Sequence, residues 1–219
     1  MASTTSWSFL DPPNRGYHRS FVTKISSNQW DKYTDCSLHI HYKLSVLAFW
    51  DPYELANYRD SYTFYHHGHS NLELPVVAMN SNGSSLLLNV ALSGADLEIH
   101  VPFHLRYGEP SPDGHQSAEI SMPIAFFSCP AAQVSGVDSL PWPTEFTTLS
   151  VSDERACLAI QSEPAAAVMI SVPVGNPGDF HIVEAGTVLT MVACFCYLVV
   201  VFRQTWRRLY YNSGHAKVE

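Results

Sequence analysis

The sequence predicts a mainly β protein: an antiparallel β-sandwich domain followed by one C-terminal transmembrane helix. Residues 185–202 read AGTVLTMVACFCYLVVVF, an uncharged, proline-free run of membrane-spanning length. Upstream, apolar and polar residues alternate in short stretches bounded by Pro, Gly, Asn and Asp, the pattern of half-buried strands. Helical periodicity is scarce there, and only DPYELANYRD (51–60) reads as a helical turn.

The strands expected in chain order are Phe21–Ile25, Ser37–Trp50, Leu86–Leu92, Leu97–Tyr107, Ala118–Phe127, Phe146–Val151, Ala156–Gln161 and Ala167–Val172. Turn chemistry separates them, most clearly in NSNGSS (80–85) and EPSPDGH (109–115). In the helical turn, Asp51 suits the N-cap, Pro52 the first helical position and Glu54 the third, as in a capping box. VGNPGDF (174–180) reads as a stalk between the body and the span.

At 1.5 Å per residue, the apolar run makes about 27 Å of helix, close to the thickness of a bilayer's hydrocarbon core. Arg203, Arg207 and Arg208 follow it at once, with Trp206, Tyr210 and Tyr211 at interfacial depth, while Asp179 and Glu184 precede it. By the positive-inside rule the tail faces the cytosol and the body lies across the membrane. The opening MASTTSWSFLDPPNRGYH has no basic n-region or apolar stretch of a signal peptide. That leaves open the converse, tail-anchored arrangement with a cytosolic body. The expected organisation is an unstructured N-terminus over 1–15, a lumenal β-sandwich over 16–178, the transmembrane helix over 185–202 and a cytosolic basic tail over 203–219.

Charge narrows the function classes. The net charge is −8, and four basic residues against one acid put the tail at +3, so residues 1–202 carry −11. An acidic body has no electrostatic footprint for nucleic acid, and nucleic acid is not expected as a partner.

Eleven histidines invite a metal reading, notably His39 and His41 at strand spacing, the run His66, His67 and His69, and the pair His100 and His104. No HExxH or CxxC accompanies them, and 66–69 is expected in a polar loop, so no metal ligand is assigned. GxSxG, GxGxxG, a P-loop and SxxK are absent as well, and neither catalytic residues nor a cofactor is expected. Among the body cysteines, two of Cys36, Cys129 and Cys157 are expected to pair in an oxidising compartment, while Cys194 and Cys196 lie in the span. Asn82-Gly83-Ser84 is an N-glycosylation sequon in an expected loop.

Three stretches together resemble one family: GYHRSF (16–21), DPYELANYRD behind the strand CSLHIHYKLSVLAFW (36–50), and HVPFHLRYGEPSPDG (100–114). Their order, spacing and single C-terminal span are similar to PIG-X and its fungal counterpart, the accessory subunit of glycosylphosphatidylinositol (GPI) mannosyltransferase I. The resemblance implies a single-pass endoplasmic reticulum protein with a lumenal domain. Such a subunit binds and stabilises the multi-spanning catalytic subunit that adds the first mannose in GPI-anchor biosynthesis, and is not itself an enzyme. The family pattern marks Asp51, Pro52, Tyr53, Glu54 and Leu55, then Pro102, His104, Leu105, Arg106 and Tyr107. Arg106 and Tyr107 are of the residue types that anchor interfaces, so they are expected to border the partner surface. Their alternative role is to order the sandwich, with His104 and Arg106 on one sheet face and Tyr107 on the other. Two other function classes compete: a lumenal metal-dependent enzyme built on the histidines, and a cell-surface receptor-type β-sandwich.

Overall fold

Strand alternation is clearest at β3 (Ser37–Leu44), where Leu38, Ile40, Tyr42 and Leu44 all point into the core. The computed structural model describes residues 4–11, 16–71, 74–79, 83–133, 139–149, 155–162 and 167–215. Its other strands are β1 (Thr5–Asp11), β2 (His18–Ser26), β4 (Ala48–Phe49), β5 (Tyr62–His67), β6 (Ser84–Val90) and β7 (Leu97–Leu105). There follow β8 (His115–Ile120), β9 (Ile124–Pro130), β10 (Arg155–Ala159), β11 (Gln161–Ser162) and β12 (Val168–Pro173). One five-stranded sheet runs β11-β1-β2-β7-β4, a second runs β10-β9-β3-β6-β5, and β12-β8 form a two-stranded ribbon. All pairings are antiparallel except the short edge contact of β1 with β11.

The core joins the two sheets. Phe21 and Ile25 of β2 and Ile99, Val101 and Phe103 of β7 meet Leu38, Ile40 and Tyr42 of β3 and Leu86 and Leu88 of β6. Phe21, Tyr42, Trp50 and Phe103 form its aromatic centre, with ring centroids 5.0–6.2 Å apart. Pro102 fits a central strand here for a geometric reason. Leu105 N–H bonds Tyr17 C=O, which makes 17/105 a hydrogen-bonded pair and places 20/102 in the alternate class. The missing N–H of Pro102 therefore points away from β2, on the side where β4 pairs only Leu105 and His104.

The second sheet is covered on its other face too. His39, His41, Leu87, Phe126 and Cys157 lie beneath Trp142 and Phe146. This corrects the strand expected at Phe146–Val151, since Thr144–Leu149 is 3₁₀-helical and Val151 lies outside the described residues. Phe146 N–H bonds Pro143 C=O, and Trp142 Nε1 donates to Phe146 C=O at 2.8 Å, so a cap over an aromatic patch overrides local β-propensity. Lys43 Nζ pins this cap through Glu145 at 2.9 Å. Burial opposes the charged form of the Glu145 carboxyl, yet hydrogen bonds, the Lys43 one foremost, bring its pKa down to about 2. Because the folded-state value is depressed, Glu145 stabilises the fold above the unfolded carboxylate range and loses that contribution as pH falls toward 2. Melting curves of wild type and Glu145→Gln are expected to differ at pH 7 and to converge toward pH 2.

Other expectations change in detail. The N-terminus expected to be unstructured contains β1, which buries Ser6 and Leu10 and stacks Trp7 on Phe9 at 5.0 Å. The single strand expected over Ser37–Trp50 is interrupted by a turn after Leu44, and the one over Ala118–Phe127 breaks at Ser121–Pro123 into β8 and β9. His66 and His67 lie on β5 rather than in a loop. The expected stalk is docked: Val174 N–H bonds Gly114 C=O, Ser111 N–H bonds Gly175 C=O, and Asn176 Nδ2 donates to Pro112 C=O.

The helix α2 (Phe180–His215) extends beyond the expected span at both ends. It is long and apolar enough to cross a membrane, and none of its apolar stretch is buried against the domain. Thr187 and Thr190 donate their hydroxyls to the carbonyls of Val183 and Gly186, one turn back, so neither offers an unpaired polar group at bilayer depth.

Candidate functional site

The site begins with a cross-strand pair. His18 and His104 face each other across β2 and β7. They belong to the pair class without direct backbone hydrogen bonds, in which side chains approach most closely. Their rings stand 4.7 Å apart at 63°, and His104 also stacks on Phe49, its partner in β4, at 5.4 Å.

Over this pair comes α1 (Pro52–Leu55), a single turn that starts where the sequence expects. Asp51 Oδ1 accepts the N–H of Tyr53 at 2.9 Å, Pro52 opens the turn, and Leu55 is fully buried, which ties the turn to the core. Glu54, third in the turn, uses both carboxylate oxygens on the histidines: Oε1 lies 2.8 Å from His18 Nε2 and Oε2 lies 2.8 Å from His104 Nε2. The three side chains are partly exposed. Three segments distant in sequence thus supply one constellation.

Next to it, Arg106 follows the last residue of β7 and is only 3% exposed. Its guanidinium lies 4.4 Å above the Phe49 ring, and Nη1 donates to Leu74 C=O at 3.0 Å. Nε and Nη2 are buried with no hydrogen-bond partner among the described residues, and desolvation lowers the arginine's pKa. Arg106 forms part of the wall of a cleft of about 510 Å³ lined also by Phe49, Val76, Val77, Tyr107 and Glu109. Leu105 is buried, whereas Tyr107 is 57% exposed and its hydroxyl accepts the N–H of Gly175 at 2.6 Å. Tyr17 donates to Pro173 C=O at 3.0 Å. Two tyrosines of the motif segments therefore hold the chain just before it enters α2. Tyr53, beside Glu54, is 86% exposed and Val77 is 74% exposed.

The burial of Arg106 means that it supports a surface from below, while Tyr53, Val77 and Tyr107 form exposed parts of this region. Sequence reading grouped the motif segments but assigned no role to His18, whose place opposite His104 depends on strand register.

The histidines singled out on β3 do other work. His39 Nε2 lies 2.9 Å from Ser37 Oγ, and burial lowers the pKa of His39, His41 and His66. His39 and His41 pack on Phe126 and Phe146 and join no metal-capable group among the described residues. Of the body cysteines, Cys36 and Cys129 form a disulfide and Cys157 is a buried free thiol. Cys194 and Cys196 are exposed along α2. Asn82 lies outside the described residues.

No solved structure matches the chain. Protein pbn1 of Emericella nidulans is 28% identical over 145 residues, covering 58% of this chain and 28% of that protein. Protein pbn1 of Aspergillus fumigatus is 31% identical over 110 residues, covering 44% of this chain and 22% of that protein. A third, Protein pbn1 of Aspergillus oryzae, is 29% identical over 110 residues, with 44% and 20% covered. The chain thus spans less than a third of the length of these relatives. The sequence model described as PIG-X / PBN1 matches residues 14–203, a range that takes in all three motif segments, β2 to β12 and most of α2, and the chain belongs to that family.

Proposed function

We propose that the protein is a non-catalytic subunit of GPI mannosyltransferase I, which binds and stabilises the multi-spanning subunit that adds the first mannose. Its domain lies in the lumen of the endoplasmic reticulum and α2 anchors it. Family membership over residues 14–203 is the observation that carries this reading. The site is consistent with it: the motif segments hold one another and the approach to α2 in a fixed relation, and the surrounding aromatic and apolar side chains suit protein contact. The disulfide suits an oxidising lumen. The arginines after the span favour a cytosolic tail.

The test is gentle purification of the tagged full chain from microsomes, with mass spectrometry of what accompanies it. A multi-spanning mannosyltransferase is the expected companion, and its absence after crosslinking, with the chain intact in the membrane, overturns the reading. Surface variants then locate the contact. Tyr53→Ala combined with Val77→Asp is expected to reduce recovery of the partner several-fold at an unchanged melting temperature, because both side chains are largely exposed. Arg106→Ala is expected to lower recovery and melting temperature together, because the residue is buried against Phe49. Sealed-microsome protease protection checks the orientation.

A further inference from the structure

The geometry points to a divalent metal site formed by His18 Nε2, His104 Nε2 and the Glu54 carboxylate, which takes zinc and clips the three motif segments together. Four observations carry it, and none depends on the accessory-subunit reading.

The donor atoms already converge, since one ligand atom from each residue lies within 4.8 Å of the others. A tetrahedral ion bound at about 2.0–2.1 Å by nitrogen and oxygen needs donors roughly 3.3–3.4 Å apart. The 2.8 Å contacts use different Glu54 oxygens, so the ion takes one carboxylate oxygen and the side chains adjust from separations of up to 4.8 Å to reach it. Side-chain rotation can supply that movement, because each side chain reaches solvent in part.

The backbone beneath is fixed. His18 and His104 are set by strand register, with Phe49 stacked behind His104, and Glu54 is set by the Asp51 cap and the buried Leu55. The two rings are inclined at 63°, so they do not lie stacked in parallel. The donor set is also chemically apt. Two imidazoles and one carboxylate are ligands that zinc accepts, with a fourth position left for water or a donor from a partner. In the present contacts Nε2–H of each ring donates to Glu54; on binding, that proton leaves to solvent, Nε2 coordinates through its lone pair, and the neutral ring carries its proton on Nδ1. Lastly, the three ligands come from segments separated by 36 and 50 residues, so one ion would constrain a large part of the chain.

The full chain, purified in detergent without a polyhistidine tag and stripped with a chelator, is titrated with zinc chloride and then desalted. Wild type is expected to retain one equivalent of zinc and to melt several degrees higher than the stripped form. His18→Ala, His104→Ala and Glu54→Gln are each expected to weaken binding at least about tenfold, while the His66→Ala/His69→Ala control keeps wild-type affinity. Should an alanine variant fail to fold, wild type alone still decides. Cobalt is expected to give visible d–d bands that one equivalent of zinc abolishes. Absence of those bands, or zinc retention by wild type no greater than by a folded His18→Ala/His104→Ala double variant, overturns the site.

Discussion

Trp50→Ala is expected to destabilise the domain by about 3–5 kcal/mol, among the largest losses available to a single substitution in this core. Trp50 is fully buried, contacts Phe21, Tyr42 and Phe103, and immediately precedes the Asp51 cap. Truncation leaves a cavity that two opposing sheets cannot close without shifting register. For a domain of this size the melting temperature should drop by about 10 °C, and the site should loosen with it. Trp50→Phe discriminates the cause. The indole Nε1 is buried without a hydrogen-bond partner among the described residues, and leaving a buried donor unpaired costs about 1–3 kcal/mol. Phenylalanine removes that donor, which offsets part of the smaller cavity it leaves, so its net cost should be well below that of alanine, about 1 kcal/mol. Thermal unfolding of the two variants in detergent measures the difference; a loss from Trp50→Phe as large as that from Trp50→Ala would overturn the cavity account.

Loss of the Cys36–Cys129 disulfide should cost about 2–4 kcal/mol. The bond closes a loop with a sequence separation of 93, so its removal restores much conformational freedom to the unfolded chain. It also fastens the start of β3 next to β9, whose neighbour β10 carries Cys157. Wild type in reductant should melt with the Cys36→Ala/Cys129→Ala variant, and the variant should not respond to reductant. Cys157→Ala should leave that reductant response intact, because Cys157 is a separate buried thiol whose pKa burial raises. Alkylation before and after reduction, read by mass, checks the pairing in protein taken from microsomes.

Much of this architecture was legible without coordinates. Period-two alternation exposed β2, β3, β7 and β12 through a regular core-facing row, whereas β6 is buried on both faces, with Leu86 and Leu88 toward one layer and Leu87 toward the other. The apolar run located α2, and Asp51-Pro52 marked the start of α1 through elementary capping chemistry. β1 escaped because it buries little beyond Ser6 and Leu10, and β5 because its histidines read as loop. The 3₁₀ cap at Thr144–Leu149 escaped because its conformation answers to an aromatic face on distant strands.

The sequence by itself determined a sandwich-forming strand pattern, a membrane-length helix with arginines behind it, and three motif segments. Only the tertiary structure decided that these segments meet, that Glu54 bridges His18 and His104, that Arg106 lies beneath the surface, and that Cys36 rather than Cys157 pairs with Cys129. The physical reason is range. Periodicity, capping and apolar length are properties of neighbours along the chain, whereas β2 meets β7, and β3 meets β9, through a register that dozens of intervening residues must be folded to set.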